Sequence, residues 1–176
     1  TDSEIVFNAD DADVDGIING AGANNGVLDV NANVTFKGVI GTNKMQDIQV
    51  AADKTVTLQG ATVAATSLTL QGTGDTSTVV IGGQTTNVES TTAFTGNIVA
   101  TGTGGVLSLM GDPSDATGHS ITGSIGASSA ANYLGTINIG NNSLDADTSD
   151  VHFITINTYA DTLNFDATVN GTTTVG

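Results

Sequence analysis

Apolar and small polar residues alternate along short stretches of this chain, and the stretches close on glycine. Val34-Thr35-Phe36-Lys37-Gly38, Val56-Thr57-Leu58-Gln59-Gly60 and Leu68-Thr69-Leu70-Gln71-Gly72 share one pattern, apolar-Thr-apolar-x-Gly. Looser copies follow at Leu107-Ser108-Leu109-Met110-Gly111 and Ile137-Asn138-Ile139-Gly140. A period of two sends alternate side chains to opposite faces of a strand, so that one face is buried and the other wet. The closing glycine lets the chain turn through backbone angles that other residues resist. The pattern predicts an all-β chain of short strands at 4–7, 27–30, 33–37, 47–50, 55–59, 61–64, 67–71, 78–81, 92–95, 97–100, 106–110, 120–125, 136–139, 151–157, 162–165 and 167–169.

The copies start at positions 34, 56, 68, 107 and 137, so the repeat is degenerate rather than of fixed length. Three short strands per coil give coils of about 20 residues, within the range of solenoid repeats. A parallel β-solenoid is therefore the expected architecture, and an antiparallel β-sandwich is the alternative, since strands every 8 to 12 residues or so suit that fold too. The chain of 176 residues reads as a single β-rich domain, 1–176, without a Pro-rich linker. Within it, residues 1–26 stand out as an acidic, Gly-rich segment, read as one strand followed by a long loop, and 27–176 carry the strand and turn rhythm. Segments 111–119 and 140–150 read as polar loops, and 127–133 is the best helical stretch, too short to stand alone.

Composition sharpens this picture. Only 38% of residues are hydrophobic and there is no Trp, which fits a thin core repeated along an axis better than one thick core. The favoured polar residues, Thr, Asn, Asp, Ser and Gly, are those of strands and turns. Three lysines, Lys37, Lys44 and Lys54, stand against 18 acidic residues, for a net charge of −15. Such a charge repels phosphate backbones and anionic headgroups, so nucleic acid is excluded as a partner. No apolar run approaches the ~20 residues of a membrane helix, so this segment is not expected to insert in a membrane. Without cysteine there are neither disulfides nor thiolate metal sites. Beginning at Thr1, the chain reads as a mature protein or an excised fragment.

Asp47-Ile48-Gln49-Val50-Ala51-Ala52-Asp53-Lys54-Thr55-Val56-Thr57-Leu58-Gln59-Gly60-Ala61, Phe94-Thr95-Gly96-Asn97-Ile98 and Leu134-Gly135-Thr136-Ile137-Asn138-Ile139-Gly140 carry a family likeness. In these stretches the chain resembles the passenger regions of rickettsial autotransporters of the outer-membrane protein B type. Gly/Thr/Asn-rich bacterial S-layer proteins look similar. The resemblance implies a parallel β-solenoid held outside the cell, with adhesion or surface coating as its role; the membrane barrel that anchors such passengers is absent from this sequence.

Candidate chemistry is sparse. In Asp11-Ala12-Asp13-Val14-Asp15-Gly16, alternate carboxylates before a glycine have the spacing with which Ca²⁺ loops present their first oxygens. The twelfth position of such a loop, where an EF-hand carries Glu, is Gly22, so a full EF-hand is not expected. Asp145, Asp147 and Asp150 form a second acidic loop with Asn141 and Asn142 beside it, and Asp112 and Asp115 are weaker candidates. Ca²⁺ is the one cofactor these residues suggest; the plainer reading of each group is a solvated acidic loop. The two histidines, His119 and His152, lie among so many Ser and Asp residues that no triad can be inferred, and no catalytic residue is assigned.

The sequence reading is thus a non-catalytic module of the cell surface or extracellular space that coats, spaces or adheres, through self-association or contact with a host or cell surface. One alternative is a self-assembling subunit of an S-layer or extracellular filament stabilised by Ca²⁺ at its acidic loops. A polysaccharide-active enzyme is disfavoured, because the chain lacks the Trp and Arg that such sites use against sugars and charged transition states.

Overall fold

A computed structural model describes residues 3–72, 76–82, 92–102, 104–109, 120–126, 134–139, 151–158, 160–165 and 169–175. The chain runs β1 (Glu4–Phe7), β2 (Ala12–Val14), β3 (Val27–Val30), β4 (Val34–Phe36), β5 (Ile40–Val50), β6 (Thr55–Leu58), β7 (Thr62–Leu70) and β8 (Thr78–Ile81). It continues through β9 (Ala93–Ala100), β10 (Val106–Leu109), β11 (Ser120–Thr122), β12 (Ser124–Ile125), β13 (Leu134–Ile139), β14 (Val151–Thr158), β15 (Ala160–Phe165) and β16 (Val169–Val175). The described residues contain no helix, and the expected helical stretch at 127–133 and the loops at 111–119 and 140–150 lie outside them.

Two sheets take turns along the chain. One is ordered β1-β3-β5-β7-β9-β12-β14-β16, with β11 beside β9, and the other β15-β13-β10-β8-β6-β4-β2. Every ladder among the described residues is parallel, as a β-solenoid requires and an antiparallel sandwich forbids. Leu28 pairs with Ile48 and Ile48 with Leu68, one coil of 20 residues each. In the second sheet Val34 pairs with Val56, Val56 with Val79, Val79 with Leu107 and Leu107 with Ile137, so the coils lengthen along the chain.

These registers explain the uneven repeat. The copies at 34, 56, 107 and 137 stack in the second sheet, whereas the copy at 68 belongs to the first. Two interleaved series look like one irregular series in the linear sequence.

Inward positions form continuous columns. Leu28, Ile48, Leu68 and Ile98 are fully buried in one, and Val56, Val79 and Leu107 in another. A third column, Ile18, Ile40, Val63, Phe94 and Ile121, comes from the leading parts of β5, β7, β9 and β11 and from an isolated bridge between Ile18 and Ile40. Predicted strands 61–64 and 67–71, and likewise 92–95 and 97–100, are each one strand with a register shift inside.

The segment 8–26 is not the long loop the acidic residues suggest. Ala12–Val14 is a strand paired with β4, and Ile18 enters the core. Its alternation is masked in the sequence because the outward place between Ala12 and Val14 is filled by Asp13, and Asp11 and Asp15 flank them.

Candidate functional site

Coils in parallel register lie about 4.8 Å apart, so a short side chain at a corner reaches the backbone of the next coil. Asn and Asp use this reach repeatedly. Asp10 Oδ1 accepts the Asn33 N–H at 2.7 Å, Asn33 Oδ1 accepts the Thr55 N–H at 2.8 Å, and Asp53 Oδ1 accepts the Thr76 N–H at 3.3 Å. Asn97 Oδ1 accepts both the N–H and the hydroxyl of Ser124, at 3.2 and 2.9 Å. The chain's wealth of Asn and Asp is in this measure structural: these side chains satisfy backbone groups where strands end.

Outward positions of the first sheet carry a second network. Asp47 accepts hydrogen bonds from Ser67 Oγ at 2.7 Å, Thr69 Oγ1 at 3.0 Å and Gln49 Nε2 at 3.0 Å. Gln71 Nε2 extends it to Gln49 Oε1 at 2.8 Å. Two coils are thereby stitched together outside as well as inside.

The candidate Ca²⁺ residues of the first coil fall into this scheme unequally. Asp11 and Asp13, with Asn33, Thr35, Thr55 and Thr57, line a shallow groove of about 270 Å³ on the outer face of the second sheet. Asp13 is already engaged, because Lys37 Nζ donates to its Oδ2 at 2.6 Å. That bond, reinforced by the nearby charges of Asp13 and Asp15, holds the Lys37 ammonium above its ordinary pKa. Asp15 follows β2 and does not line the groove. Asp10, which falls outside the alternating acidic motif, is held below the ordinary carboxyl range by the Asn33 N–H and then by Lys54, whose Nζ lies at 3.3 Å.

Among the described residues no three or more His, Asp or Glu side chains converge as a group able to hold a metal ion. Asp145, Asp147 and Asp150, with Asp112, Asp115 and His119, lie outside the described residues. Sequence reasoning missed the Lys37–Asp13 and Lys54–Asp10 pairs, which join residues one and two coils apart. The signal available was the coil length itself, since residues about 22 apart are neighbours along the axis.

Glycine forms a column of its own at one corner. A Cβ on Gly60 would lie on the carbonyl oxygen of Gly38, and a Cβ on Gly38 on that of Gly16. In the copies that begin at 34 and 56 the closing glycine is therefore demanded by contact between coils, whereas Gly72, which closes the copy at 68, adopts a positive φ of 132°. No described helix is long and apolar enough to cross a membrane. Comparison with protein-family models, with curated proteins and with solved structures finds no match.

Proposed function

We propose that this chain is a non-catalytic structural or adhesive module displayed at a cell surface or in the extracellular space. The observation that carries this reading is where its polar side chains are spent. Asp47, Ser67, Thr69, Gln49 and Gln71 bond to one another along the axis, and Asp10, Asn33 and Asp53 to the backbone of the next coil. Polar groups used up in this way extend and stiffen a scaffold; a catalytic site needs them converging and held unpaired for a substrate. The charge of −15 adds solubility and resistance to non-specific association with other acidic surfaces.

Immunogold labelling of intact source cells tests the reading. Label on the outer surface or in the surrounding matrix is the expected result, and label confined to the cytoplasm overturns it.

A further inference from the structure

Spent polar groups are the rule on this solenoid, and the outer face of the second sheet breaks it. Asp13, Thr35 and Thr57 form one outward column through β2, β4 and β6. Asp11, Asn33 and Thr55 form the next, on the other side of the buried Val34 and Val56. All six line the groove of about 270 Å³. Among the described residues the side chains of Asp11, Thr35, Thr55 and Thr57 have no hydrogen-bond partner, in contrast to Asp47, Ser67, Thr69 and Gln49 on the first sheet. Their neighbours are tied. Lys37 holds the Asp13 carboxylate at 2.6 Å, and Asn33 Oδ1 is fixed by the Thr55 N–H at 2.8 Å, which leaves the amide N–H groups of Asn33 for another acceptor.

Strands stack about 4.8 Å apart along the axis, and successive outward places on one strand lie about 6.6 Å apart, so these groups form a grid of donors and acceptors. Hydroxyls donate and accept, the amide donates and the carboxylate accepts. A ligand that answers all of them carries many hydroxyl groups of its own. Charge narrows the choice further. Asp11 and Asp13 in the groove and a net charge of −15 repel phosphate, sulfate and uronate groups, and the nearby Lys37 is already spent on Asp13. No aromatic ring lines the groove, so a flat apolar ligand finds nothing to stack on. Among the described residues no third acidic or His side chain joins Asp11 and Asp13 to hold a metal ion.

We propose that this groove binds a neutral saccharide chain laid along the solenoid axis, held by hydrogen bonds to the Thr35, Thr55 and Thr57 hydroxyls, the Asn33 amide and the Asp11 carboxylate. This deepens the adhesive reading and rests on it for where such a chain is met, in a cell coat or matrix. The groove holds the saccharide and does not cut it. Both carboxylates come from the β2 segment, and Asp13 is engaged by Lys37, so no free pair flanks a glycosidic bond from two sides. A few hydrogen bonds without ring stacking set a Kd on the order of 1 mM for one groove. Such a contact gains strength by repetition, when many copies on one surface meet many chains on another.

Amide chemical shifts of the isotope-labelled chain, titrated to tens of millimolar with cellotetraose, mannotetraose or chitotetraose and with tetragalacturonate as the acidic counterpart, read the outcome. Saturable shifts at Asn33, Thr35, Thr55 and Thr57 are expected with a neutral probe and not with tetragalacturonate. Thr35→Val and Thr57→Val keep the branched shape and lose the hydroxyl, and each is expected to keep the parent's circular dichroism while weakening binding about 3- to 10-fold. Thr62→Val, exposed on the leading part of β7, is expected to leave binding unchanged. No saturable shift with any neutral probe, binding untouched by both groove variants, or an acidic probe bound as tightly as a neutral one each overturns the proposal. Groove shifts caused by Ca²⁺ and by no saccharide overturn it in favour of a cation site. A chain that labels at the cell surface yet binds no saccharide removes this inference alone, whereas saccharide binding by a chain confined to the cytoplasm removes the surface reading alone.

Discussion

A methyl group added at Gly38 and one added at Gly16 should have opposite effects, although both residues sit in the same column and follow an apolar residue by two places. On Gly38 the methyl would overlap the carbonyl oxygen of Gly16 and stand 2.7 Å from its carbonyl carbon and 2.8 Å from the Asp15 oxygen. Non-bonded carbon atoms sit about 3.5–4.0 Å apart, so the coils must part by on the order of 1 Å there. The bonds at risk are those that Lys37 and Gly38 N–H donate to the Val14 carbonyl, at 2.9 and 3.2 Å. Two such bonds contribute roughly 1–3 kcal/mol net, and forced overpacking costs about 1–3 kcal/mol more. The stiffer unfolded chain of an alanine variant offsets roughly 0.4–1 kcal/mol of that. Gly38→Ala is therefore expected to lose about 1–5 kcal/mol, a fall of roughly 2–20 °C in midpoint for a chain of this size. Among the described residues Gly16→Ala meets no atom and keeps the offset alone, a gain of about 0.4–1 kcal/mol. Thermal and urea unfolding followed by circular dichroism, at dilutions where the chain is monomeric, measures both. Equal stability of Gly38→Ala and the parent would refute the close-approach argument. Equal losses at both positions would show that the corner needs glycine for its backbone angles, not for contact.

Ile48→Ala removes a fully buried side chain between Leu28 and Leu68 and should cost about 2–5 kcal/mol by urea unfolding; a loss under 1 kcal/mol or so would mean the core there can collapse. Asn33→Ala deprives the Thr55 N–H of its acceptor, for a loss of about 0.5–2 kcal/mol and faster amide exchange at Thr55. Ser77 is 1% exposed and its hydroxyl has no partner among the described residues, so Ser77→Ala should leave stability unchanged or raise it by about 1 kcal/mol. Asp10 has a carboxyl pKa lowered in the fold, so its contribution is present above the unfolded carboxyl pKa of about 4 and disappears as pH falls through the folded value. The urea midpoint of Asp10→Asn should accordingly fall less steeply than the parent's on acidification below that pH; identical slopes would remove Asp10 from the acid transition.

How much of this was legible in the sequence depended on which side of the strand a residue faces. The strand pattern found β1, β3 and β8 to the residue, because Glu4-Ile5-Val6-Phe7, Val27-Leu28-Asp29-Val30 and Thr78-Val79-Val80-Ile81 are short, mostly apolar runs bounded by polar and glycine residues. It missed β2, where Ala12 and Val14 are weak apolar signals beside Asp11, Asp13 and Asp15, and only pairing with Val34 and Phe36 of the next coil makes a strand of them. It also missed the leading half of β5, where Ile40 and Met45 pair with Val63 and Ala65 of the following coil across a register shift. The first acidic motif was legible as spacing but not as partnership. That Asp13 faces Lys37 across one coil follows from a register of 22 residues, which a local reading of Asp11 to Gly16 cannot contain.

The same geometry determines where function can be sought in such a molecule. An inward position is fixed by the core, a corner position by the next coil's backbone or carbonyl, and many outward positions by ladder partners such as Asp47 and Thr69. Each constraint comes from the coil before and the coil after, and so each is satisfied within the chain except at an end.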